Sequence, residues 1–314
     1  MTGAGSLPAS RRLPALEEIF LDHVGHFVGD VEGACRGLRR AGFAPTPPSI
    51  QVHPGAQREP TGTGNVTCML ERGYLEILFK TADTPLGREL DAAVARFAGV
   101  HLLAFAVSDA AATHARLSAA GFRTRPLVGM ERAVTTASGD GKAAFSVVRL
   151  EPGEMPEGRI QALTHHTEDT VWQPRWLTHG NGALGLIDVV IAEPDPGAAA
   201  ARFRRFLGRE PEIRAPGPCF ALDRGGVQLV DAAALRQLLP QLAVPGLPFM
   251  ACCGIAVASL ARTEAVLSDG GLGFERRDGV IIAPFPDALG AGAWAFVEDA
   301  MALPWRLGQR LGQR

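Results

Sequence analysis

Four stretches of the chain repeat one order of signals, and that repetition limits the fold more than any single residue does. The first has a strand-like run at 21–28, then Asp30, a helical stretch at 31–40, and Gly42-Phe43. The second has a run at 100–107, then Asp109, a helical stretch at 112–119, and Gly121-Phe122. Asp30 and Gly42 are twelve residues apart, as are Asp109 and Gly121. An aspartate before a helix accepts the free amide protons of its first turn. A glycine after it takes the left-handed C-terminal conformation, and the phenylalanine packs back on the helix.

A third copy runs from 186–191 through Asp195 to Gly208, and a fourth from 251–257 through Ser259 to Gly273-Phe274. Short strand-like runs follow each helix, among them 65–70, 74–79, 143–150, 227–230 and 294–297. The unit is therefore strand, helix, then about three strands, on the usual strand and turn signals.

A chain of four such units resembles the vicinal oxygen chelate superfamily (glyoxalase, bleomycin-resistance and extradiol dioxygenase relatives), in its glyoxalase-like-domain branch. The stretches that carry the resemblance are Leu21-Asp22-His23-Val24, Gly62-Thr63-Gly64-Asn65, Tyr74-Leu75-Glu76-Ile77-Leu78 and the run 165–183. The resemblance implies an α+β fold in which βαβββ modules pair into cup-shaped mixed sheets. It divides the chain into a tail at 1–19, a domain at 20–165, a connector at 166–183, a second domain at 184–303 and a tail at 304–314.

In metal-binding members, ligands come from the first and fourth strands of each paired unit. By that resemblance His23, seven residues before Asp30, holds the first-strand position, and Glu76, three after Gly73, the fourth-strand position. Gln161 follows Gly158, and Gln228 follows Gly225, at the same offset. In the second unit the first-strand position is Leu102, with His101 one residue earlier. A one-residue shift turns a side chain to the opposite face, so His101 needs a bulge to reach the cup. His165 alternates with Gln161 and Leu163 and offers a substitute from the strand end. The expected centre is a divalent ion (Fe, Mn, Ni or Zn) on His23 and Glu76, with His101 and His165 as further candidates.

Glu76 stands among Leu75, Ile77, Leu78 and Phe79, and a carboxylate in so apolar a strand is costly unless paired, ligated or solvent-facing. His23 and Glu76 are the catalytic candidates; Asn65, Tyr74, Phe105, Gln161, Trp172 and His179 are candidates for touching the substrate. The connector residues His165, His166, Trp172, His179 and Asn181 could equally lock the two halves together. All eight histidines lie between His23 and His179, so imidazole chemistry belongs to the first half.

Two functions follow. One is a metal-dependent lyase, isomerase or dioxygenase acting on a small molecule with adjacent oxygens. The other is a metal-free protein that binds and sequesters a small molecule, with acid–base catalysis by His23 and Glu76 as a thinner variant. Charge excludes other partners: 31 basic against 33 acidic residues give no stripe for nucleic acid. The stretch 237–261 has no charged residue, but its prolines and glycine break a membrane helix. Five scattered cysteines without a CxxC read as reduced thiols, and the expected compartment is the cytoplasm. A homodimer stays open.

Overall fold

The computed structural model describes residues 12–52, 59–137 and 139–306. The strands are β1 (Ile19–Phe27), β2 (Ser49–Val52), β3 (Pro60–Met69), β4 (Tyr74–Lys80), β5 (Gly99–Val107), β6 (Val128–Thr136), β7 (Gly139–Arg149) and β8 (Arg159–His165). They continue as β9 (Ala183–Ala192), β10 (Cys219–Ala221), β11 (Gly226–Val230), β12 (Phe249–Val257), β13 (Glu275–Arg277), β14 (Val280–Pro284) and β15 (Ala293–Val297). The helices are α1 (Val31–Arg40), α2 (Pro85–Arg96), α3 (Ala110–Ala119), α4 (Glu168–Val171), α5 (Pro196–Leu207), α6 (Ala232–Leu238) and α7 (Leu260–Asp269).

The four helices of the repeat form where their caps stand. The side chain of Asp30 accepts from Gly33 N, Asp109 from Ala112 N, Asp195 from Ala198 N and Ser259 from Arg262 N. Gly42, Gly121 and Gly208 take the left-handed conformation that ends the first three helices. In the fourth, Gly271 does so, two residues before the expected Gly273. There Leu272 N closes the turn on Leu267 O at 2.9 Å, as Phe43 N does on Leu38 O. Helix α2 was not foreseen. Thr84 caps it and Pro85 occupies its first turn, a start signal hidden in the link between modules.

The first eight strands close on themselves in the order β1-β4-β3-β2-β6-β7-β8-β5, and β5 pairs back with β1. The seam between β2 and β6 is the single pair Val52–Glu131. The remaining strands do not close: β11-β9-β12-β15-β14 leaves β10 and β13 at its ends. Helices α1, α3, α5 and α7 cover the outer faces, and one apolar cluster joins Leu38, Leu117, Phe203 and Leu267. The halves share the β5–β12 and β1–β9 borders, and His26 packs its ring edge-on to Phe285 at 4.7 Å. Connector residues complete that border: Asn181 Nδ2 donates to Ala41 O, and Thr263 Oγ1 donates to Asn181 O.

Each module carries the same irregularity in its first strand. The β1–β5 register skips Asp22 on one side and His101 on the other. The β9–β12 register skips Ile187 and Ala251 in the same manner. These are β-bulges, each placing one extra residue just before the ligand position: His23, Leu102, Asp188 and Cys252.

Two tail boundaries move. Trp305 is buried and donates to Asp188 Oδ2 at 2.8 Å, and Arg306 holds both oxygens of Asp188. Residues 304–306 thus fill the second cup. At the other end Ile19 already opens β1, and Arg224 Nη1 donates to Arg12 O. The rest of both tails, and His53, lie outside the described residues. No helix among the described residues is long and apolar enough to cross a membrane. The uncharged stretch 237–261 is the end of α6, a proline-containing connection and β12. Cys252 and Cys253 are buried there as small apolar groups.

Just after β9, Glu193 is 1% exposed, and neither carboxylate oxygen has a hydrogen-bond partner among the described residues, Arg202 standing 3.8 Å away. Burial and the neighbouring charge of Glu157 push its carboxyl up to about 8. The unfolded chain loses that proton near 4.5, so stability falls as pH rises from 4.5 to about 8. Glu193→Gln should flatten that part of a urea-denaturation pH profile and gain on the order of a few kcal/mol at pH 8.5. An unchanged slope contradicts the assignment.

Candidate active site

The ring of eight strands encloses a cup of about 620 Å³, counted with its open mouth, and every strand contributes to its lining. On the floor stand His23 from β1 and Glu76 from β4, with His23 Nε2 3.5 Å from Glu76 Oε2. Gly25, two residues after His23, lies between Glu76 and Leu102 in register. A Cβ there would stand 2.8 Å from Leu102 Cβ, so the missing side chain keeps the floor open.

The bulge at Asp22 explains how two adjacent residues act together. On a regular strand they would face opposite sides; here Asp22 Oδ2 meets His23 Nδ1 at 2.7 Å. Its other oxygen meets His165 Nε2 at 3.0 Å. Asp22 is fully buried. Burial alone would raise its pKa, but the charge of His165 and hydrogen bonds from both imidazoles hold it far below the usual carboxylate range. An ionised Asp22 requires a proton on His23 Nδ1 and leaves Nε2 facing the cup.

Glu76 is placed as firmly. Its Oε1 accepts from Asn65 Nδ2 at 2.7 Å and faces Gln51 Nε2 at 3.5 Å. Oε2 is left toward His23. At 3.5 Å the two atoms are placed so that one proton can serve either the imidazole or the carboxyl. Tyr74 stacks on the His23 ring at 4.3 Å. Burial first, then the charges of Asp22 and Glu76, raise its pKa well above that of a free phenol and keep it neutral. Two buried amide oxygens in the cup, Asn65 Oδ1 and Gln161 Oε1, have no partner among the described residues. One wall is apolar, with Leu78, Leu102, Met130, Phe145, Val147 and Leu163.

Of the expected residues, His23, Glu76, Asn65, Tyr74 and Gln161 meet in this cup, and five others do not. His101 does sit at a bulge, yet its ring turns away and its Nε2 bonds Phe97 O at 2.7 Å, outside the cup. His165 lies behind His23 as the second partner of Asp22. Phe105 is core, packed against Phe206. Trp172 donates to Leu70 O and backs Tyr74 and His165. His179 ties the connector to the first half, with one nitrogen on Ala44 N and the other on Met69 O. The structure adds Asp22, Gln51, Arg132, Arg149 and Arg159 to the site. A visible signal for the arginines is parity: Arg149 alternates with Phe145 and Val147, and Arg132 with Met130.

The donor set does not fit the metal centre that the resemblance implies. Leu102 fills the second-unit histidine position, and one Glu76 oxygen is already bonded. Among the described residues no three His, Cys, Asp or Glu are grouped to hold an ion. A catalytic ion of this kind takes about three strong protein ligands, and of His, Cys, Asp and Glu side chains the cup offers one imidazole and one carboxylate oxygen, the rest being neutral amides.

Paired βαβββ modules around a cup define the vicinal oxygen chelate fold. The chain belongs to the Glyoxalase-like domain family, whose model matches residues 21–207, more than half the chain. Solved structures agree on the fold. A hypothetical protein from Staphylococcus aureus superposes with a TM-score of 0.58 at 12% identity, covering 88% of this chain and 98% of its own. A mutant of 4-hydroxymandelate synthase from Streptomyces coelicolor gives 0.55 at 15% identity, with 94% and 99% covered. The 2,3-dioxygenase LapB from Pseudomonas sp. KL28 gives 0.51 at 14% identity, with 90% and 93% covered. No curated protein matches the chain.

Asp22→Asn should keep the fold while releasing the tautomer of His23. Nitrogen NMR of the histidine rings is expected to show Nδ1–H of His23 in the wild type and a mixture of tautomers in the variant. Asp22→Ala leaves two buried imidazole N–H groups unpaired and should cost ~2–4 kcal/mol by denaturant titration. Because the folded pKa of Asp22 is depressed, its contribution is present above the unfolded carboxyl pKa. It is lost as pH falls below about 4.

Proposed function

We propose that the chain is an acid–base enzyme of the glyoxalase-like type. It would move a proton on a small molecule with adjacent hydroxyl and keto oxygens, without a metal held by protein ligands. One observation carries this reading: the line Asp22–His23–Glu76, in which a buried carboxylate orients an imidazole whose free nitrogen faces a second carboxyl. Asn65 Oδ1 and Gln161 Oε1 would accept from substrate hydroxyls, and the apolar wall would hold the carbon skeleton.

The step balances within the site. His23 Nε2 takes the proton from the carbon beside the carbonyl while Glu76 gives its proton to the carbonyl oxygen, leaving a neutral enediol. The imidazolium then returns its proton to the neighbouring carbon, and Glu76 takes one from the second hydroxyl. The product is the isomer, and both groups are restored. A positioned acid and base contribute about 10²–10⁴-fold each.

Binding without turnover is the second reading. Leu102 at the ligand position favours it, since an apolar side chain there adds contact and no chemistry.

The test follows deuterium exchange by proton NMR across a panel of small α-hydroxyketones in D₂O. The expected result is catalysed exchange with at least one member, unchanged after dialysis against a chelator and reduced at least about 100-fold in His23→Asn and Glu76→Gln. Exchange lost on chelation and restored by one equivalent of metal would overturn the metal-free mechanism. Ligand binding with no exchange would favour sequestration.

A further inference from the structure

The cup holds an excess of positive charge that its own residues leave without acceptors. Arg132 lines the wall opposite the His23 floor strand and is half-buried. Its guanidinium has five N–H donors, and none meets an acceptor among the described residues. Arg149 donates one N–H to Met130 Sδ at 3.2 Å, and its Nε is buried with no partner. The third arginine, Arg159, is held by Glu89 at 3.3 Å, which also takes Arg125 at 2.8 Å. Arg125 reaches Glu151 as well.

In and behind this wall stand four guanidiniums, Arg125, Arg132, Arg149 and Arg159. Glu89 and Glu151 are the carboxylates that pair with them; Glu76 is taken up by Asn65 and His23, and Glu131 is engaged by Lys142 at 2.7 Å. Four guanidiniums against two carboxylates leave two positive charges over. They lie on the arginines without acceptors. Burial, then the repulsion of Arg159 and Arg125, pulls Arg149 down to about 10, which still leaves it protonated at neutral pH. Poorly solvated guanidiniums without acceptors are costly, and a planar oxyanion relieves both the charge and the missing hydrogen bonds.

Building on the acid–base reading, we propose that Arg132, backed by Arg149, is an anion seat. The cup then takes a small organic anion: an apolar body against Leu102 and Phe145, an oxyanion on the guanidiniums, and the reacting oxygens toward His23 and Glu76. A carboxylate and a phosphate monoester share this chemistry. Arg132 also borders a second cleft lined by Pro47, Pro48 and Trp176, so the anion sits at the junction of two cavities rather than at a closed end.

The test is calorimetric binding of three probes to the full chain at pH 7.5: 4-methylpentanoate, its amide and 3-methylbutyl phosphate. One of the two anions should bind at least about tenfold tighter than the amide; which one assigns the oxyanion as carboxylate or phosphate. Arg132→Gln should remove that preference; Arg132→Lys should restore part of it, as a point charge without the bidentate fork. His23→Asn should keep the preference, which separates this inference from the acid–base reading. Equal binding of acid, phosphate and amide by the wild type would overturn the anion seat, as would a preference that survives in Arg132→Gln.

Discussion

One extra residue in the first strand of each module organises this molecule. A bulge lets two neighbouring side chains cooperate where a regular strand would part them, and it tightens the local twist of the sheet. In β1 that extra residue is Asp22, and its carboxylate joins two imidazoles 142 positions apart in the chain, His23 and His165. Glycines fit the same irregularity. A Cβ on Gly73 would stand 2.5 Å from Asp22 O, and one on Gly158 would stand 2.5 Å from His101 O. Both glycines have positive φ. The bulged residue and the glycine that opens the fourth strand thus form one structural unit, used twice in the first half.

The same scaffold has been put to two uses. In the first half the strands close into a ring, and the space inside is lined by polar groups with unfilled hydrogen-bonding capacity. In the second half the sheet stays open, the position of His23 is taken by Asp188, and Arg306 with Trp305 occupies it from within the chain. A buried aspartate there has found its cation in its own C-terminal segment.

Much of the fold is written locally. Four N-caps, three of the four helix-end glycines and the strand runs are short-range signals that formed where their residues stand; the fourth helix ends on Gly271 instead of Gly273. The candidate site was legible where parity sufficed: His23, Glu76, Tyr74, Asn65 and Gln161 share the cup face. Phe105 went to the core because it lies three residues after Leu102, on the other face of β5 with Leu103 and Val107; Trp172 lies in a connector, where no alternation assigns a side. His179 went to backbone groups because the border between halves leaves Met69 O and Ala44 N in need of partners. His101 shows the limit most clearly. A bulge at that residue was the condition for its reaching the cup, the bulge is there, and the ring still turns to Phe97 O.

The sequence by itself determined the module, its repetition, the half that carries the histidines and the two side chains on the cup floor. These depend on caps, turns and strand alternation, which act over a few residues. Tertiary structure alone decided that Asp22 faces the imidazoles of His23 and His165, that His101 turns away from the cup, and that Arg132 and Arg149 look into the cup without an oxygen acceptor among the described residues. Those outcomes depend on how strands distant in the chain register against one another, and a register is a property of the closed sheet, not of any one strand within it.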